Sequence, residues 1–164
     1  MARANLGKKF EDVVKESFLK CPDVSIDRLR DAPKKMKNVD NPSDFIVYKY
    51  PHEIYVECKS HKGNTLPFSC IREEQIKGMS EKSQIDGVLA GVILWFIDHD
   101  LTVWIPIQEV VDWQRRGAKS INIKDLDHLQ HIVIQGKKKR VYFDYFMDDF
   151  LRELYEEKLC LQSV

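Results

Sequence analysis

Residues 88–97 and 101–107 are almost unbroken apolar runs, separated only by Asp98-His99-Asp100. Each is far shorter than the ~18 residues of a membrane span, and β-branched and aromatic residues dominate both. Side chains alternate between the two faces of a strand. A strand that is apolar at every position must therefore be covered on both faces. The pair predicts a buried hairpin in a central sheet with helices on either side.

The remaining segments supply those helices. Leu6, Phe10, Val13, Val14 and Phe18 recur at helical spacing, predicting an amphipathic helix over 5–20 that ends at Cys21-Pro22. Residues 70–84 place Ile71, Gln75 and Met79 on one face, and 145–161 carry Phe146, Phe150, Leu154 and Tyr155. A short helix is expected over 108–116, ending at Gly117. A hairpin is expected over 45–50 and 54–59 about Tyr50-Pro51-His52-Glu53. Short strands are expected at 132–134 and 141–143 about a turn at Gly136, while 21–43 reads as a basic loop or arm. This order predicts an α/β (α+β) fold of about three layers, with a mixed central sheet flanked by helices. A chain of 164 residues suits one domain over 1–164.

Composition narrows the class. No segment is long and apolar enough to span a membrane, and the polar N-terminus has no signal core, so a cytoplasmic protein is expected. Cys21, Cys58, Cys70 and Cys160 show neither CxxC nor Cys/His ligand spacing, which argues against a disulfide framework or a zinc site. His128 and His131 have no evident third ligand. The net charge is zero but unevenly spread: residues 1–38 hold ten Lys/Arg against six Asp/Glu, and Lys137-Lys138-Lys139-Arg140 add a second basic block. Such segregation lets a neutral chain present a basic face to phosphates, although a solvated loop fits the same charges.

Chemistry concentrates in Asn41-Pro42-Ser43-Asp44 followed by Glu57-Cys58-Lys59. By strand alternation Tyr55, Glu57 and Lys59 share one face, and Ile54, Val56 and Cys58 face the core. A tight turn near 51–53 brings Asp44 to the far end of the partner strand. Two carboxylates and a lysine then converge, and carboxylates that converge repel unless a cation lies between them. A Mg²⁺ site needs only one or two carboxylates and keeps several waters. With a lysine beside it, such a site can hydrolyse a phosphodiester. Alone, Glu57 and Lys59 could equally be a surface ion pair.

The spacing Pro42-Ser43-Asp44 … Glu57-Cys58-Lys59 resembles the PD-(D/E)xK nuclease motif. With Ser60, the run 63–68, Gln75-Ile76 and Gly7-x-x-x-Glu11, the chain is similar over roughly 5–80 to RecU-type and phage Holliday junction resolvases. The resemblance implies a restriction-endonuclease-like core and a homodimer that cuts four-way DNA junctions in recombination and repair with Mg²⁺ or Mn²⁺, in a bacterium or a phage-infected host. It implies that Asp44, Glu57 and the Cys58 carbonyl hold the metal, that Lys59 positions water, that Glu11 adds a carboxylate, and that Gln75 orients the water, the metal shell or the substrate. Lys34, Lys35, Lys37, Lys8 and Arg30 are candidate DNA contacts, with Arg28 and Arg3 weaker ones, and His61 a slight one. The archaeal pattern has Arg after the helix Glu, where this chain has Asp12, and 21–43 is short beside the usual stalk. A restriction-like nuclease and a catalytically inactive DNA-binding module are the competing readings.

Overall fold

A computed structural model of the chain describes residues 6–30 and 41–163. Helix α1 (Leu6–Leu19) is followed by strands β1 (Ser25–Arg28), β2 (Phe45–Lys49), β3 (His52–His61) and β4 (Thr65–Pro67). Then come a 3₁₀ turn (Phe68–Cys70), α2 (Glu73–Ser83), β5 (Val88–Phe96), β6 (Leu101–Pro106) and α3 (Ile107–Arg115). Strand β7 (Ser120–Asn122), a 3₁₀ segment (Ile123–His128), β8 (Ile132–Val133), β9 (Gly136–Lys138), β10 (Phe143–Tyr145) and α4 (Met147–Gln162) complete it.

The main sheet runs β1-β2-β3-β5-β6-β8. Only β3 and β5 pair in parallel, with Glu57 opposite Val92 and Lys59 opposite Leu94. A parallel pair needs a crossover, and α2 supplies it. The other pairs are antiparallel, so the sheet is mixed as expected. Both faces are covered. Phe10, Val14 and Phe18 of α1 and Phe150, Leu151 and Leu154 of α4 pack on the side of Ile54, Val56, Cys58, Ile93 and Trp95. Ile76 and Met79 of α2 and Ile107 and Val110 of α3 pack on the side of Tyr55, Val92, Leu94 and Ile105. The apolar hairpin is thus the centre of the molecule, as its sequence requires.

Several boundaries differ from expectation. The segment expected as a loop after Cys21 contains β1, an edge strand paired with β2 in register Ser25↔Tyr48 to Arg28↔Phe45. Its burial alternates weakly, with only Ile26 inside, so it shows little strand signature. The hairpin expected about Gly136 is shifted. Gly136 lies in β9, the ladder is Lys138↔Phe143 to Gly136↔Tyr145, and β8 instead joins the main sheet beside β6. A Cβ at Gly136 would lie 2.8 Å from the Asp144 carbonyl, so this glycine serves close approach of two strands rather than a turn. Strand β7, paired with β4, has no counterpart in the sequence reading.

Candidate active site

The site lies where β2 and β3 part. Asp44 N–H donates to the Val56 carbonyl at 3.1 Å, which sets Asp44 beside Glu57. Its Oδ2 then accepts the Cys58 N–H at 2.8 Å. The carboxylate is therefore fixed by β3 itself. N–H and C=O of a strand residue point to the same side. The Cys58 carbonyl thus points to the β2 side, where pairing ends at Phe45↔Val56 and residues 42–44 form bends outside the strand.

Glu57 is 1% exposed. Its Oε2 accepts a hydrogen bond from Gln75 Nε2 at 2.8 Å. Its Oε1 lies 2.7 Å from Lys59 Nζ as an ion pair, yet has no aligned hydrogen-bond donor. Burial, and next the Asp44 charge, push its pKa up to about 7 against the pull of Lys59 and Arg72. Burial disfavours the Lys59 ammonium, but the Glu57 and Asp44 carboxylates outweigh it and raise its pKa. Burial and the Asp44 charge thus outweigh the nearby cations at Glu57, as expected where buried carboxylates converge.

Glu11 enters from α1. Burial and then Asp44 raise its pKa, while Arg28 and Lys59 lower it. Arg28 Nη1 lies 3.8 Å from Glu11 Oε2, and its other nitrogen pairs with Asp12. The guanidinium also sits over the Phe45 ring, 5.1 Å from the centroid. Arg28, a weak candidate from sequence, is the cation next to Glu11. It reaches the site because β1 pairs it with Phe45, and that pairing leaves no local signal. Gln75 lies in the first turn of α2 and is 4% exposed. Its Oε1 faces the Arg72 N–H at 3.4 Å while its amide nitrogen holds Glu57. The buried Ser43 hydroxyl donates to the Phe45 carbonyl at 2.9 Å, shaping the turn into β2. Neither Ser43 nor Arg72 stood out in the sequence.

The structure therefore gathers Asp44, Glu57, Lys59, Glu11 and Gln75. Lys8 is exposed on α1 just before Glu11, and Arg30 is exposed after β1. Arg3, Lys34, Lys35 and Lys37 lie outside the described residues. His131 Nδ1 lies against the Leu129 carbonyl at 2.8 Å. Among the described residues, no group of three or more His, Cys, Asp or Glu side chains forms a metal cage. The donors that are present suit a hard divalent cation that keeps most of its waters. They are the carboxylates of Asp44 and Glu57, which repel each other, with the Cys58 carbonyl on the β2 side. The Cys58 thiol belongs to the opposite face, and burial followed by the Asp44 charge holds it well above its ordinary pKa.

A mixed sheet between helices, with P-x-D and E-x-K meeting at a fork of its strands, defines a PD-(D/E)xK nuclease. The family model for Recombination protein U matches residues 30–149, and the chain belongs to that family, whose members are Holliday junction resolvases. No curated relative matches it significantly. Among solved structures it is similar to Hjc, a Holliday junction resolvase from the archaeal hyperthermophile Archaeoglobus fulgidus. That likeness has a TM-score of 0.49 at 17% identity and covers 63% of this chain and 78% of that one. Among the described residues, no helix is long and apolar enough to cross a membrane.

Proposed function

We propose that this nuclease is metal-dependent and works as a single-domain homodimer, with Asp44, Glu57 and the Cys58 carbonyl holding Mg²⁺ or Mn²⁺. The observation that carries the proposal is the buried Glu57, raised to a pKa of about 7 by burial and by the Asp44 charge. When bound, the cation would polarise a phosphoryl oxygen and make a coordinated water more acidic. The protein's own groups do the rest. Lys59 directs a positive charge at the oxygens that gain charge as water adds to phosphorus and the bond to the leaving sugar oxygen breaks. Gln75 fixes Glu57 in rotation, so the ion pair with Lys59 keeps one geometry. Glu11 adds a third carboxylate, balanced by Arg28. Cutting two strands of a junction together calls for two sites, which supports the dimer. A DNA substrate suits activity in the cytoplasm of a bacterium or of a phage-infected host.

The test uses labelled four-way junction, linear duplex, single-stranded and flapped DNA, each with Mg²⁺, with Mn²⁺ and with EDTA. Paired symmetric nicks on the junction, abolished by EDTA, are expected. Preferential cutting of linear duplex would replace the junction with a restriction-like substrate. Binding without cutting under every metal condition would leave only a DNA-binding module. Sedimentation of the protein alone checks the dimer.

A further inference from the structure

The second basic block is mounted against α1, the helix that carries Glu11. The β9–β10 hairpin is closed by Lys139 N–H donating to the Tyr142 carbonyl at 2.8 Å, which puts Arg140 and Val141 at its tip. Lys137, Lys138, Lys139 and Arg140 are all exposed. The tip is nonetheless firmly mounted. The Tyr142 ring packs 5.7 Å from Trp95, and Lys9 of α1 lies 5.5 Å over the same ring. Lys138 is tied to Asp100, in the turn between β5 and β6. Helix α1, which lays Lys9 against the hairpin, also carries Glu11 to Asp44 and Lys59, so the hairpin is mounted on an element of the active site.

The charge balance at this edge is one-sided. Asp100 is occupied by Lys138, and Asp98 accepts the Gly63 N–H at 2.7 Å. Asp144 faces Lys137 across the ladder but pairs with Lys20 at 2.6 Å. Lys139 and Arg140 have no ion pair among the described residues, and exposed Lys8 and Lys62 lie on neighbouring segments. A mounted row of cations beside a nuclease site fits a polyanion better than it fits water.

We propose that Lys137, Lys139 and Arg140 grip the backbone phosphates of the duplex arm that leads into the active site. The contact rests on the DNA-cutting function proposed above and adds a location: the hairpin holds an arm, away from the bond being cut. Contacts of this kind read no sequence and position the duplex.

The test compares wild type with K137A/K139A/R140A on a fluorescent four-way junction in EDTA over a range of salt. Each lost phosphate contact lowers the salt slope by about one. Binding is expected to weaken about tenfold or more, with a slope shallower by roughly two to three. Shortening the duplex arms should erase the difference between the proteins. K137R/K139R, which keeps the charges, should bind like wild type, and matching melting curves will separate lost contact from lost fold. Equal affinity and equal slope for wild type and the triple alanine variant overturn the proposal while leaving the nuclease reading intact. Wild type that binds no DNA sinks both.

Discussion

Strands β3 and β5 are parallel neighbours at the same depth, yet they contribute opposite things. On the face toward α2 and α3, β5 presents Val92, Leu94 and Phe96, none more than 1% exposed. Their partners on β3 are Glu57, Lys59 and His61. Burying an aliphatic side chain stabilises a fold by ~1.5–3 kcal/mol. Burying a carboxylate opposes folding unless it is paired or neutralised. One strand supplies stability, and its neighbour carries a charge that the stability must hold in place. The Glu57–Lys59 pair thus lies beside a strand that is wholly apolar on the same face.

The largest effects should come from breaking the charged side of this comparison. Asp44→Asn and Lys59→Ala are expected to slow junction cutting by about 10²–10³-fold or more. Both should bind junction DNA within a few-fold of wild type, since neither is a backbone clamp. Single-turnover cutting with saturating protein checks this. Wild-type rates in either variant would show that the chemistry lies elsewhere.

How far the sequence foretells this comparison depends on the period of each segment. The apolar hairpin is legible because a near-unbroken apolar run over the nine residues of β5, too short to span a membrane, has to be a strand covered on both faces. The meeting of Asp44 with Glu57 and Lys59 is legible because alternation and a tight turn are both local. The roles of the Cys58 carbonyl and Gln75 come mainly from resemblance, although Gln75 also shares the inward face of its helix with Ile71 and Met79; the structure sets it in the first turn of α2 against Glu57. Arg28 was hidden because β1 is a polar edge strand whose partner fixes its position. By sequence Gly136 reads as a turn, whereas its lack of a side chain serves contact with Asp144 and Tyr145, so the β9–β10 hairpin turns further along the chain.

The apolar side should fail in a different way. Leu94→Ala, in the position beside Lys59, is expected to destabilise the protein by about 2–5 kcal/mol. Urea denaturation measures it, and a loss under ~1 kcal/mol would mean that β5 does not anchor the site as argued. On β3 the matching change has the opposite sign. In the folded chain Glu57 has a pKa of about 7 against an ordinary 4.5. The folded state therefore holds this proton more tightly than the unfolded chain. Stability in EDTA falls as pH rises from about 4.5 to 7 and stays low above that window. Glu57→Gln cannot ionise, so it should melt higher than wild type above pH 7, by about 1–3 kcal/mol. The gain should vanish as pH falls toward 4.5. Melting curves in EDTA across this range decide it, and a variant less stable than wild type at high pH would show that Lys59 already neutralises Glu57.

The finest contrast is within the site, at Gln75. Its amide nitrogen gives Glu57 an aligned side-chain donor at 2.8 Å, and its own carbonyl looks back at the Arg72 N–H. Lys59 meets the other oxygen at 2.7 Å as an ion pair. An ammonium with three rotatable donors tolerates rotation of the carboxylate more readily than a planar amide does. If the amide sets the orientation, Gln75→Ala should lower kcat about tenfold, the ~1–1.5 kcal/mol of one hydrogen bond, with KM for the junction unchanged. Gln75→Glu should do worse, because it adds a carboxylate where charge already repels. The metal requirement provides a separate readout: a misoriented Glu57 should need more Mg²⁺ for half-maximal cutting, whereas a purely structural loss would lower the melting point and leave that midpoint alone. An alanine variant with wild-type kcat and midpoint would mean that Lys59 and the wall formed by β5 suffice to hold Glu57, and that the buried amide serves only the start of α2.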